Sequence, residues 1–229
     1  MKKPTVDYRG FRLSRLREPG FRHLLWLLPW IPHTIMYFLT SHIFPKEAYT
    51  AVHCGLDDLI PFMEIFIVPY VTWYLLIAFT ILYFMFYDAK RFVEFGKYLA
   101  VLEVIVISIY LIYPTRVDFQ PTQFPRDNFF TDCVKLLYAI DEDGNACPSL
   151  HVAFSVAVIS VWAKRKESRF VTKLLIWVFN ILVCISTVFV KQHSALDFFW
   201  ALPVCLVAEI LVFGKSYWLP KFKKTPVAA

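Results

Sequence analysis

Long apolar runs alternate with short polar and charged clusters along this chain. Runs at about 24–44, 64–87, 97–113, 148–163, 171–190 and 194–213 approach the roughly 20 residues that a helix needs to cross a bilayer core. The pattern predicts six transmembrane helices. Pro29 and Pro32 in the first run predict a kinked or partly interfacial segment. The third and fourth runs are short, but charge clusters bound them clearly. No internal repeat or low-complexity tract stands out. The basic N-terminal stretch leads into an apolar run that reads as the first span, without a small-residue cleavage site. The expectation is an all-α, polytopic membrane protein with one domain over 1–229: a basic tail at 1–23, a six-helix core at 24–213 and a second basic tail at 214–229.

Composition agrees. Of 229 residues, 58% are hydrophobic and only 18% charged, more apolar than a soluble domain. The formal charge of +6 raises nucleic acid as a partner, but the placement of the charges excludes it. Nineteen of the 24 lysines and arginines fall in the N-terminal tail, after the second run, after the fourth run and in the C-terminal tail. Only Lys46, Arg116, Arg126, Lys135 and Lys191 fall on the other side. Such alternation follows the positive-inside rule and predicts that both termini are cytoplasmic. The basic excess then marks topology and contact with anionic lipid. The five cysteines say less: a Cys133–Cys147 bridge fits an oxidising outer compartment, and free thiols are the preferred reading.

With this topology two polar constellations meet at the outer face. In PSLH, Pro148 suits a first helical position, and the following N–H groups lack intrahelical partners and suit an anion. Ser149 adds a hydroxyl, and His151 can give or take a proton near neutral pH. In VKQHSALDFF, His193 and Asp197 are four residues apart and share one helix face. The carboxylate can then hold one imidazole nitrogen as N–H and leave the other as a nucleophile. Lys191 supplies a cation nearby. Each constellation also has a plain reading, a capped helix start with an interfacial histidine and a solvated turn. Their co-occurrence at one membrane face favours chemistry.

These residues resemble the type 2 phosphatidic acid phosphatase superfamily of membrane lipid phosphatases and phosphotransferases. Pro148-Ser149-Leu150-His151 matches the family's PSxH signature in full. STVFVKQHSALD matches SRxxxxxHxxxD at Ser186, His193 and Asp197, with Thr187 where the family has arginine. The stretch 57–74, DDLIPFMEIFIVPYVTWY, is similar to members near the inositol phosphorylceramide synthase branch. The family's KxxxxxxRP signature has no clean copy; Arg116 and Arg126 are the only guanidinium groups of that region.

The resemblance implies a six-helix core and a double displacement that needs neither metal nor cofactor. His193 would attack phosphorus with Asp197 orienting it, and His151 would serve as acid and then base. Ser149, Lys191, Arg116 and Arg126 would contact the phosphate. The expected activity is hydrolysis of a lipid phosphate at the extracytoplasmic or lumenal face, with the membrane lipid as the only partner. The alternative is head-group transfer between lipids, which the missing arginines favour. A third reading, an inactive scaffold or transporter, would draw on intramembrane Glu103 and Asn180, which are more simply read as groups buried against neighbouring helices. The segment 114–146 carries Asp118, Asp127, Asp132, Asp141, Glu142 and Asp143 against Arg116, Arg126 and Lys135. This excess of acid disfavours highly anionic substrates and suits cationic head groups, unless these acids only solvate a loop.

Overall fold

A computed structural model describes residues 4–141 and 144–224, with side chains placed through Phe222. Its regular structure is helical apart from one pair of two-residue parallel strands, β1 (Thr50–Ala51) and β2 (Thr115–Arg116). Four segments are long and apolar enough to cross a membrane: Glu64–Tyr87, Ala89–Ile112, Phe170–Phe189 and Ala195–Phe222. Their outward faces carry Leu75, Val104, Leu175 and Leu206, each more than half exposed. An apolar exterior of that kind is stable only in lipid. The chain is therefore an integral membrane protein.

The first run departs from the expected span. A 3₁₀ segment over Arg22–Leu27 precedes α1 (Trp30–His42), which has 13 residues. At 1.5 Å per residue α1 reaches only about 20 Å. The prolines start this helix instead of kinking it: Pro29 is its N-cap and Pro32 lies in its first turn, where a missing N–H costs nothing. After β1 comes a five-residue helix, α2 (Gly55–Leu59), and then α3 (Ile67–Tyr87).

Only Asp88 separates α3 from α4 (Ala89–Ile112), and its carboxylate caps α4 by accepting the Arg91 N–H at 3.1 Å. Helix α4 starts eight residues before the predicted 97–113 run. Lys90, Glu94 and Lys97 recur at i, i+4 and i+7, while Phe92, Phe95 and Leu99 are buried. This amphipathic first half lies outside the purely apolar stretch. An unpredicted amphipathic helix, α5 (Phe129–Ile140), lies within the segment 114–146, capped by Asn128.

Helix α6 (Leu150–Lys164) is short because it is central. Eleven of its 15 residues are buried, including Ala153, Ala157, Val158 and Val161, as expected for a helix that is apolar all round. It packs between α4, α7 (Phe170–Phe189) and α8 (Ala195–Phe213). The basic segments meet at one end of this bundle. Tyr8 donates to the Met85 carbonyl at 2.7 Å, Arg91 to that of Lys164 at 2.7 Å, and Arg165 pairs with Asp88 at 3.4 Å. Lys164 and Trp218 both reach Glu209 at 2.6 Å. The starts of α6 and α8 lie at the other end.

Candidate active site

The turn from α7 to α8 is built by local hydrogen bonds. The N–H groups of Gln192 and His193 both donate to the Thr187 carbonyl at 3.0 Å, and Lys191 takes a left-handed conformation with φ of 53°. Ser194 and Asp197 then form a capping box at the start of α8, each satisfying an N–H that the first turn leaves open. Asp197 is fully buried, and its Oδ2 accepts from Ser194 N at 3.0 Å and lies 3.0 Å from His193 Nδ1.

That same Nδ1 lies 3.1 Å from the carbonyl oxygen of Ala146. Both neighbours are acceptors, so Nδ1 must carry the proton. The neutral ring consequently keeps its lone pair at Nε2, on the opposite edge. This is the tautomer that the His193–Asp197 spacing predicts.

The start of α6 is fixed against the same turn. Ser149 is its N-cap and accepts from Val152 N at 3.4 Å, while Ser149 N donates to the Asp197 carbonyl at 3.2 Å. Pro148 therefore precedes the cap and is not the first helical residue, and the Ser149 N–H is already used. Tyr110 OH donates to the Pro148 carbonyl at 2.7 Å, and Cys147 N to Thr115 Oγ1 at 2.9 Å. His151, one residue into α6, packs against Tyr70 and Trp73, its ring tilted to both, with ring centres 4.5 and 4.4 Å away. Its ring centre is 5.6 Å from that of His193. His151 Nε2 is buried and has no hydrogen-bond partner among the described residues.

Both histidines line one cavity of about 270 Å³, together with His33, Tyr37, Trp73, Tyr74, Tyr110, Asp141 and Asn145. The predicted phosphate-binding residues fare differently. Ser149 is completely buried in its capping role. Lys191 Nζ donates to the carbonyls of Asp57 and Ile60 at 2.6 and 2.5 Å and lies over the Phe119 ring. It closes the end of α2 and does not line the cavity. Burial lowers its pKa, against the opposing pull of Asp57 and Asp58. Arg126 grips buried Glu64 with two nitrogens, at 2.5 and 2.7 Å, and this pairing raises its pKa. Arg116 sits in β2, in register with Ala51, and bridges to Gly144. Neither arginine lines the cavity.

Three features escaped the sequence reading. Asp57, 2% exposed, holds the start of α8 from 137 positions away. Its carboxylate accepts from Ser194 Oγ at 2.6 Å, Ala195 N at 2.7 Å and Cys54 N at 2.8 Å. The segment 57–74 was legible as a resemblance, but nothing in it told which of its acids turns inward. Tyr70 and Trp73, whose rings pack against His151, read only as apolar positions of a span. Among the outer acids, Asp127 and Asp132 pair with Lys135 at 3.4 and 3.0 Å, as a solvated loop would. Asp141 does not: it lines the cavity, accepting from Tyr37 and Tyr70 hydroxyls at 3.0 Å each. Glu142 and Asp143 lie outside the described residues.

The remaining candidates are accounted for by packing. Glu103 pairs with His33 at 2.5 Å, and Asn180 donates to the Ile176 carbonyl at 2.7 Å. All five cysteines are free thiols. Burial and the neighbouring Asp197 carboxylate push the Cys147 thiol up to about 12.

The fold and site thus define a helical membrane protein with a buried imidazole pair, one ring oriented by a carboxylate. Comparison with protein-family models, with curated proteins and with solved structures gave no match in any of the three.

Proposed function

We propose that the chain is a lipid phosphoesterase that works through a phosphohistidine on His193. One observation carries this reading: His193 Nδ1 faces two acceptors, Asp197 Oδ2 and the Ala146 carbonyl, which leaves Nε2 as a lone-pair donor in a cavity shared with His151. The resemblance of PSLH and of HSALD within their signatures supports it independently.

In the first half-reaction His193 Nε2 bonds to phosphorus as the bond to the leaving oxygen breaks, and protonated His151 gives that oxygen its proton. Positive charge then develops on the His193 ring, and the Asp197 carboxylate stabilises it across the 3.0 Å contact. In the second half-reaction neutral His151 takes a proton from water, whose oxygen bonds to phosphorus as the phosphorus–nitrogen bond breaks. The N–H groups of Leu150 and His151, in the first turn of α6, suit the anionic oxygens.

The topology belongs to the same proposal. Six spans follow if the short α1 region and central α6 cross together with the four long helices. Both termini then lie on the cytoplasmic side, because the basic segments gather at one end of the bundle, and the histidines open to the extracytoplasmic or lumenal side.

Transfer to a lipid alcohol, in place of water, is the second reading. The observation favouring it is that, among the described residues, no arginine or lysine lines the cavity. A monoester carries nearly two negative charges at neutral pH, so a site without a cationic clamp suits a singly charged diester better. Purified protein incubated with monoester and diester lipids separates the readings. Phosphate or phospho-alcohol release that disappears in His193→Ala supports hydrolysis; head-group exchange without release supports transfer. Turnover unchanged in His193→Ala would overturn both.

A further inference from the structure

The cavity that the two histidines line also holds an acid. Asp141 carries the carboxylate there, and its two oxygens each accept one tyrosine hydroxyl, from Tyr37 and Tyr70. A carboxylate oxygen has about two acceptor positions, so each oxygen keeps one open toward the cavity. The Asp141 carbonyl accepts Gln192 Nε2 at 2.9 Å, which ties the residue to the neighbour of His193. Tyr70, which holds Asp141 by its hydroxyl, also packs its ring against His151. The carboxylate is therefore one residue removed from both histidines. Around it stand the rings of Tyr37, Trp73, Tyr74 and Tyr110. Tyr74 lines the cavity and is 54% exposed.

A carboxylate set among aromatic rings, in a cavity that no lysine or arginine lines among the described residues, has the chemistry of a site for an organic cation. Ring faces attract an ammonium group, most strongly when water is excluded, and the carboxylate supplies the countercharge. The same carboxylate repels a phosphate dianion. We infer that this cavity receives a lipid phosphodiester whose head group carries a positively charged nitrogen of the choline or ethanolamine type, with the nitrogen against Asp141 and the phosphorus between His193 and His151. This deepens the phosphohistidine reading of the same site and rests on it for the position of the phosphorus.

Two measurements on the full-length, detergent-solubilised chain test the inference. The first is calorimetric titration with choline, which needs no turnover. Wild type and His193→Ala should bind it, and Asp141→Asn and Tyr74→Leu should each weaken binding at least tenfold. Asparagine keeps an acceptor for a tyrosine hydroxyl, and leucine keeps bulk at its position, so both variants test charge and ring face with little change of packing. The second is the ratio of kcat/KM for phosphatidylcholine to that for phosphatidylglycerol, which should fall at least tenfold in Asp141→Asn. Absence of choline binding in wild type, equal affinity in wild type and Asp141→Asn, or an equal loss of turnover on both lipids overturns the head-group site. Choline binding that depends on Asp141, in a protein that turns over no lipid, upholds the cation site and overturns the phosphohistidine reading instead.

Discussion

Replacing Asp57 with alanine removes the acceptor that anchors the first turn of α8 to α2. Three donors lose their partner: Ser194 Oγ, Ala195 N and Cys54 N, at 2.6, 2.7 and 2.8 Å. Ser194 is fully buried and Ala195 is 6% exposed, so water cannot readily replace the lost acceptor. A hydrogen bond to a charged group contributes about 1.5–3 kcal/mol, and stranding a buried donor adds to its loss. Because the three share one carboxylate and relax together, their sum is not additive. A destabilisation of about 3–5 kcal/mol is expected, more than one such bond contributes and less than three separate ones would. For a chain of this length each kcal/mol moves Tm by about 2–4 °C, so Asp57→Ala should melt at least about 6 °C below wild type. Asp57→Asn keeps one oxygen acceptor and should fall between the two. The assay is intrinsic-fluorescence melting of the purified protein in one detergent at fixed concentration. A double-mutant cycle with Ser194→Ala should give a coupling of about 1–2 kcal/mol. A Tm for Asp57→Ala within 2 °C of wild type, or no coupling to Ser194, would refute the anchoring role.

Three further outcomes follow from the packing. At Gly96 an added Cβ would come within 2.9 Å of Trp26 Cβ; overpacking costs about 1–3 kcal/mol, more than the roughly 1 kcal/mol of helix propensity that alanine brings, so Gly96→Ala should lower Tm, and a rise would show that Trp26 does not pack there. His23 is 7% exposed, bonds to Tyr8 OH at 2.6 Å, and has its pKa lowered by burial. The unfolded chain then takes up a proton first as pH falls, so the stability His23 contributes is complete above the ordinary 6.5 and is lost as pH falls from there through the folded value; melting curves should show this slope in wild type and a weaker one in His23→Gln, and equal slopes would contradict it. The Cys147 thiol, pushed up to about 12, should remain unmodified by maleimide at pH 8 in the folded protein, as mass spectrometry of its peptide can show; rapid labelling would mean that the Ala146–Ser149 strap is open.

The elements that sequence disclosed best are those whose cause is local. His193 and Asp197 meet because four residues make one helical turn and a bit, and Ser194 caps the same turn. The long apolar runs were equally plain, since their length alone matches a bilayer. The misreadings arose where local pattern and tertiary partner part company. Pro29 and Pro32 read as marks of a kinked or partly interfacial segment, yet at the N-cap and in the first turn of α1 they break no helix. Lys90, Arg91 and Lys97 read as a charged break after the second run, yet all three lie in α4. Lys191 was assigned to phosphate because its charge stands beside His193. Only the folded chain brings the Asp57 and Ile60 carbonyls to its ammonium, and they lie more than 130 positions away. Arg126 is captured in the same way by Glu64. The inward turn of Asp141, distinct from the solvated Asp127 and Asp132, depends on Tyr37 and Tyr70 from two other helices. No spacing rule links such residues, so the histidines were legible and their surroundings were not.

The proposed phosphohistidine is open to direct chemical detection. Protein mixed with a lipid labelled at phosphorus and quenched within seconds in alkali should carry label that survives base and is released by acid, as a phosphorus–nitrogen bond requires. The label should be absent from His193→Ala. It should accumulate in His151→Gln if an activated leaving group is supplied, because attack then needs no acid while the second half-reaction lacks its base. Label on His193→Ala equal to wild type, or no label on any form of a protein that turns lipid over, would contradict the account.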